Sequence, residues 1–322
     1  MRKILLLILL VSIPFIVSSQ SMKGKKRGKS VRGFANNKKK PRKEYILGIG
    51  ASNFLGELGG ADQTGTFFAK DLEFSETKTS AALGMRYKFN KRMALKGGLY
   101  YQMVSGADKL TTEPYRQNRN LSFRSNIFEL SIQYELYLTK EQQGHLYKIK
   151  NAKGMKTFDL QAYVFVGAGG FYFNPKAFYN GRWRSLQPLG TEGQGLPGGG
   201  KKYSRVSVCI PYGIGAKDAI NKDWGVGLEV GIRKTFTDYI DDVSTVYYDN
   251  NALKAAHGQM GADLADPSHN NYPAELGGNA TGLDQTAPGQ VRGHSNHKDA
   301  YMFINITVAY KVPYKRRTRS KF

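Results

Sequence analysis

The chain has 322 residues, 37 of them glycine, a single cysteine (Cys209) and a formal net charge of +23. One cysteine excludes an internal disulfide, so stability has to come from burial or from a closed hydrogen-bond ladder. The charge is concentrated at the ends: eleven Lys/Arg and no acid between Lys23 and Lys43, six more without an acid from Lys311 to Lys321. Outside these and Arg2 and Lys3, 29 basic residues face 25 acidic ones, which excludes a uniformly cationic body.

In chain order, residues 1–19 read as a secretory signal peptide. Arg2 and Lys3 form the basic region, Ile4 to Val17 the apolar one, and Val17 and Ser19 the small residues of a cleavage site before Gln20. Residues 20–44 form a basic arm without apolar periodicity. From Tyr45 a period of two sets in. It marks strands at Tyr45–Phe54, Thr79–Phe89, Met93–Ser105, Ile127–Leu138, Phe158–Phe173, Tyr203–Ala216, Trp224–Arg233 and Tyr301–Val312. In Thr79–Phe89, for example, Leu83, Met85, Tyr87 and Phe89 share one face, and Arg86 and Lys88 the other. In Trp224–Arg233 the split is Trp224, Val226, Leu228, Val230 and Ile232 against Gly225, Gly227, Glu229, Gly231 and Arg233.

Eight strands of about ten residues, each with an apolar face, a Gly- and charge-bearing face and aromatics near its ends, predict an all-β fold. The expected architecture is an eight-stranded antiparallel transmembrane β-barrel over residues 45–312, with a basic tail at 313–322. Connections alternate in length: Asn90–Arg92 and Lys217–Asp223 are short, whereas Leu55–Lys78, Gly106–Ser125, Asn174–Lys202 and Thr237–Asp299 are long. This places the long loops outside the cell, and the short turns and both termini in the periplasm. Lys140–Thr157 departs from the pattern, being a long, basic connection on the short-turn side. An eight-stranded lumen is narrow enough for side chains to fill. Arg86, Lys88, Lys96, Glu129, Glu135, Glu229 and Arg233 are expected to pair inside it as a plug, because an unpaired buried charge is costly.

Chemistry-bearing motifs are sparse. His294 and His297 have a spacing that suits a metal but stand as an isolated pair. Gly193–Lys202 (GQGLPGGGKK) lacks the phosphate-loop spacing and reads as a flexible glycine-rich loop. Asp238, Asp241, Asp242 and Asp249 lie just past the seventh strand, without the glycine and glutamate of a calcium loop. Their expected role is structural, pairing with arginines such as Arg233 or capping turns. A carboxylate rim enzyme using Asp241 or Asp242, and a surface adhesin using the Tyr-rich loops, are the alternatives. No catalytic, metal or cofactor residue is assigned, nor a nucleic-acid or small-molecule partner.

Six stretches carry a resemblance: Asn53–Gln63 (NFLGELGGADQ), Arg116–Ser131 (RQNRNLSFRSNIFELS), Phe165–Ala177 (FVGAGGFYFNPKA), Leu186–Gly199 (LQPLGTEGQGLPGG), Tyr203–Gly215 (YSRVSVCIPYGIG) and Arg233–Asp249 (RKTFTDYIDDVSTVYYD). In this order, from about Tyr45 to Val312, the chain resembles the PorG-like outer-membrane barrel proteins of Bacteroidetes. The resemblance implies a non-enzymatic component of the type IX secretion and gliding machinery, integral to the outer membrane and in contact with its lipid. It implies as partners the periplasmic ring proteins, the PorK or GldK lipoprotein and PorN or GldN. Lys148, Lys150, Lys153 and Lys156, with the two basic tails, are the expected ring contacts, because their charge falls on the expected periplasmic side.

Overall fold

The computed structural model describes residues 43–58, 76–111, 114–139, 160–221, 223–268 and 285–313. Its frame is β1 (Lys43–Leu55), β2 (Lys78–Lys88), β3 (Met93–Ala107), β4 (Ser122–Tyr137), β5 (Gln161–Tyr179), β6 (Arg182–Ser185), β7 (Val206–Asp218), β8 (Trp224–Thr235) and β9 (Ala300–Lys311). All pairings are antiparallel. The order β4-β3-β2-β1-β9-β8-β7-β5 closes on itself through β4–β5, so eight strands form a barrel and β6 folds back on the end of β5. Closure leaves the barrel strands no free edge and satisfies the backbone without water. All eight strands expected from the period of two are present.

The polarity is inside out. On β4, Leu130 is 63% exposed and its neighbour Glu129 2%; on β9, Ile306 is 58% exposed and Asn305 1%. Leaving this apolar wall in water would be unfavourable by about 25 cal/mol per Å². Its natural solvent is the hydrocarbon of a bilayer, which makes the barrel a transmembrane one. Outward aromatics pair near both ends: Tyr87 with Phe89 and Trp224 with Tyr310 at the short-turn end, Tyr101 with Phe128 and Phe178 with Trp183 toward the other. Such rings flank the apolar band where lipid headgroups begin.

Local chemistry explains the turns. Between β2 and β3, the Asn90 side chain accepts the Arg92 backbone N–H at 2.8 Å. Between β7 and β8, the Asn221 side chain accepts from both Asp223 and Trp224, at 2.9 and 2.8 Å. Asn is favoured in both places because its carbonyl mimics a turn acceptor. The β5–β7 register omits Gly167 and Ala168, which fall across from Pro211 and Ile210. Proline has no N–H to contribute to the ladder there.

The long connections depart from their expected extents. β5 runs to Tyr179 rather than Phe173 and returns through β6, so Asn174 to Ser185 is largely a strand hairpin. β3 and β4 likewise extend to Ala107 and back to Ser122, and a short helix α1 (Pro114–Arg119) lies between them. Inside the connection between β8 and β9 lies α2 (Asn250–Ala265), capped by Asp249, whose carboxylate accepts the Asn251 N–H at 3.0 Å, and broken at Gly258. An Asp N-cap before an Ala-rich run is an ordinary helix start that reading the segment as one loop passed over.

Candidate functional site: the filled lumen and its loop cap

Near the short-turn end, Arg86 sits opposite both Glu44 and Lys96 in the strand register. Its guanidinium donates to both Glu135 oxygens, at 2.6 and 2.9 Å, and to Glu44 at 2.9 Å. Glu44 also meets Lys217 at 2.8 Å and Lys88 at 2.9 Å. Lys96 donates to both oxygens of Glu229, at 2.7 and 2.6 Å, and the Tyr163 hydroxyl donates to Glu229 at 2.9 Å. The Tyr137 hydroxyl donates to Glu135 at 2.7 Å. The result is one network in which every carboxylate meets a cation and a further donor or cation. Gly215 belongs to it passively, since the Tyr163 ring occupies the space a Cβ there would need.

Toward the other end, Arg233 donates to Glu129 through two nitrogens, at 2.9 and 3.2 Å, and the Tyr301 hydroxyl joins at 3.2 Å. The guanidinium lies 4.2 Å from the Phe303 ring centre and 4.8 Å from that of Tyr100. Arg86, Lys96, Glu129, Glu135, Glu229 and Arg233 are therefore all in the lumen, divided between two networks. Lys88 stands at the edge of the first.

Above Arg233 the lumen turns apolar. Phe54, Val104, Phe123, Ile127, Phe171, Phe173, Cys209 and Tyr301 from the barrel pack with Leu58, Leu121, Ile240 and Val243 from the loops. Ile240 and Val243 belong to the acidic stretch Asp238–Asp249, which thereby folds into the barrel mouth. The loops are then stitched together by polar contacts. Glu192 accepts from the backbone of Ser244 and Thr245, at 2.8 and 3.1 Å, from the Thr245 hydroxyl at 2.7 Å and from Arg292 at 3.1 Å. Arg119 holds Asp108 at 2.7 and 2.8 Å and donates to the Arg292 carbonyl at 2.7 Å. Glu57 accepts the His294 N–H at 2.7 Å, tying the first loop to the last.

Asp242 lies in the left-handed region, with φ of 67°, a conformation Asp tolerates better than most residues. Its carboxylate accepts from the hydroxyls of Thr191 and Tyr203. Tyr203 in turn stacks on Tyr239, with ring centres 4.3 Å apart. Burial pushes the Asp242 carboxyl up to about 6 and that of Asp238 up to about 7. Asp241 and Asp299 lie well above the usual carboxylate range, through burial and then the charge of neighbouring carboxylates. Asp238 accepts from Ser244 at 2.8 Å, Asp299 from the Ile240 N–H at 2.8 Å, and Asp241 from the Val243 N–H at 3.0 Å. The second Asp241 oxygen has no hydrogen-bond partner among the described residues. Among the described residues, no group of three or more His, Cys, Asp or Glu is placed to hold a metal.

One sequence expectation needs correction here. Arg233 does not hold the aspartates: it is committed to Glu129, and the cap's arginines are Arg119, on Asp108, and Arg292, which pairs with Glu192 and donates to the Asp242 backbone carbonyl. Gly193–Lys202, expected as a flexible glycine-rich loop, is built as a series of tight turns, Gly195 donating to the Gly200 carbonyl. Gly193 takes φ of 80°, and Leu196 and Gly199 donate to the carbonyls three residues before them. His294 and His297 share a backbone turn. Lys148, Lys150, Lys153, Lys156, the Lys140–Thr157 turn, the signal peptide, and nearly all of the basic arm and tail lie outside the described residues.

No family model matches the chain, and no curated protein matches it by sequence. Solved structures with a similar fold are found. The attachment invasion locus protein Ail of Yersinia pestis is 8% identical, covering 84% of this chain and 97% of its own, at a TM-score of 0.33. Neisserial surface protein A is 7% identical over 84% and 96%, at 0.35. The outer membrane protein OprG of Pseudomonas aeruginosa is 10% identical over 85% and 98%, at 0.34.

Proposed function

We propose that this chain is an integral outer-membrane β-barrel that serves type IX protein secretion, and gliding where it occurs, as a non-enzymatic anchor. Its partners in this reading are the periplasmic ring proteins, PorK or GldK and PorN or GldN. The long loops face the outside, and the short turns and termini the periplasm. The observation that carries the anchoring role is the filled lumen: two ion-pair networks and an apolar plug occupy the interior where a transport path would run. A barrel packed in this way resists deformation and offers its ends, not its interior, to partners. The apolar outer wall supports the membrane location, and the six resembling stretches support the secretion role. The strand ends that lead into residues 140–159 lie at the same end of the barrel as Lys43 and Lys311. Lys148, Lys150, Lys153, Lys156 and the basic tails are therefore the proposed ring contacts.

The test is affinity purification from native outer membranes. Reversing the four lysines to glutamate, or deleting residues 23–43, should cut recovery of the ring proteins several-fold, and added salt should mimic the loss. Unchanged recovery in both variants rejects the contact assignment. The rim-enzyme reading retains one favourable observation, the unpartnered Asp241 oxygen, which belongs to a residue lining a cavity of about 540 Å³. Asp241→Asn and Asp242→Asn decide it: secretion and growth at the wild-type level remove catalysis there.

A further inference from the structure

The outer wall of the barrel is not uniform at the loop end. Arg124 on β4 and Lys176 on β5 are register partners on the outward face, four residues above Phe128 and Tyr172 respectively. Like charges directly opposite each other on a sheet are destabilising. Among the described residues no carboxylate is within ion-pair distance of either. Trp183 takes the flat face of Arg124, with the guanidinium carbon 4.0 Å from the ring centre, and Phe178 meets Trp183 edge-on. The stacking holds the guanidinium in place while leaving its N–H edges to point at a ligand. Arg205 lies 5.7 Å from the Tyr172 ring on the adjacent side.

One hollow meets this cluster and a second lies below it. Above, Arg124 and Trp183 line the cavity of about 540 Å³, together with Lys78 and Lys109; Glu76 and Asp241 line it too. Below, on the lipid-facing wall, a groove of about 590 Å³ runs past Leu83, Leu99, Tyr101, Phe128, Leu130 and Val206. Four residues of strand separate Phe128 from Arg124, about 13 Å along the strand, less when measured along the membrane normal because barrel strands tilt. Cations framed by aromatic rings, one headgroup's reach above an apolar groove, match a lipid in both halves: a charged headgroup at the interface and acyl chains beneath it.

We propose that this face of β4 and β5 binds the phosphorylated headgroup of an anionic lipid in the leaflet on the long-loop side, its acyl chains lying along the groove. A phosphate between Arg124 and Lys176 would remove their mutual repulsion, and the arginine fork suits two of its oxygens.

The test uses the full chain in nanodiscs of zwitterionic phospholipid, with purified diphosphorylated lipid A as probe and native mass spectrometry as readout. Retention of the lipid is expected, with at least tenfold weaker retention of the enzymatically dephosphorylated lipid and no displacement by millimolar inorganic phosphate. Arg124→Ser combined with Lys176→Ser should weaken retention at least tenfold while the barrel keeps its heat-modifiable gel migration. Lys91→Ser, at the short-turn end, should leave retention unchanged. The proposal is overturned if wild-type protein holds the dephosphorylated lipid equally well, if free phosphate displaces the lipid, if Lys91→Ser weakens it as much, or if the folded double variant binds like wild type. The wild-type comparison of the two lipids decides the matter even if the double variant does not fold.

Discussion

Lumen and cap both bury carboxylates almost completely, and the cap has ion pairs of its own in Glu192–Arg292 and Asp108–Arg119, yet three of its aspartates are neutralised by a different means from the lumen glutamates. In the lumen Glu44, Glu129, Glu135 and Glu229 each touch a lysine or arginine. In the cap Asp238, Asp241 and Asp299 have no cation within ion-pair distance among the described residues, and they rest on one hydroxyl or backbone N–H each. The lumen is lined by strands whose register brings cation and anion side by side, so ion pairs form as the barrel closes. The cap is built from loop backbone folded over itself. There the aspartates accept turn N–H groups, and the proton replaces the missing cation. One region should therefore fail when a partner is removed, and the other when the proton is removed.

The largest expected effect lies in the lumen. Arg233→Met leaves Glu129 without a cation and should destabilise the barrel by about 3–5 kcal/mol, read from urea unfolding in detergent or vesicles. Adding Glu129→Leu should restore most of the loss, since replacing both members by apolar side chains is often nearly neutral. A single variant as stable as wild type would show that this pair is not what holds the upper barrel.

The cap should answer to pH. The folded carboxyls of Asp238 and Asp242, at about 7 and about 6, titrate above their unfolded value of about 3.9. A raised folded pKa makes the stabilisation full below that unfolded value and lost as pH rises through the folded one. Closure should weaken between about pH 4 and pH 8, by on the order of 4 kcal/mol from pH 5 to pH 8 with the two groups summed. Amide protection factors, that is, exchange corrected for its intrinsic rise with pH, should fall in residues 237–268 and 285–299 over this range while those of the barrel strands hold. Asp238→Asn should flatten the dependence, and equal protection factors at both pH values would break the contrast between the two regions.

The smallest effect sharpens the same point. Tyr203→Phe removes one donor to Asp242, should cost about 1 kcal/mol, and should move the Asp242 titration above about 6, because that hydrogen bond favours the charged form. NMR titration of the side-chain carboxyl carbon would register it.

The barrel was legible because its signal is local. Alternation along each strand puts Leu130 and Glu129 on opposite faces without reference to any other strand, and the long strands, aromatics near their ends and glycine-dense polar faces then turn Leu130 outward. The glycines and charges on the second face likewise required a narrow, filled interior. The outward surface at Arg124 and Lys176 left no such trace, since it depends on which residues become cross-strand partners. Even α2 had a local mark, Asp249 before an Ala-rich run, obscured by the length of the connection around it.

By itself the sequence determined the eight barrel strands and which residues share a face, since both follow from residues within one strand; it left out the hairpin strand β6 and Glu44 and Lys217 of the lower network. Only the tertiary structure decided which charge meets which. Lys96 and Glu229 are separated by 133 residues, Arg233 and Glu129 by 104, and closure of the barrel alone sets their approach. It also decided that Asp238–Asp249 serves as a lid: Ile240 and Val243 find an apolar floor in the barrel mouth, and their burial carries the neighbouring aspartates out of water.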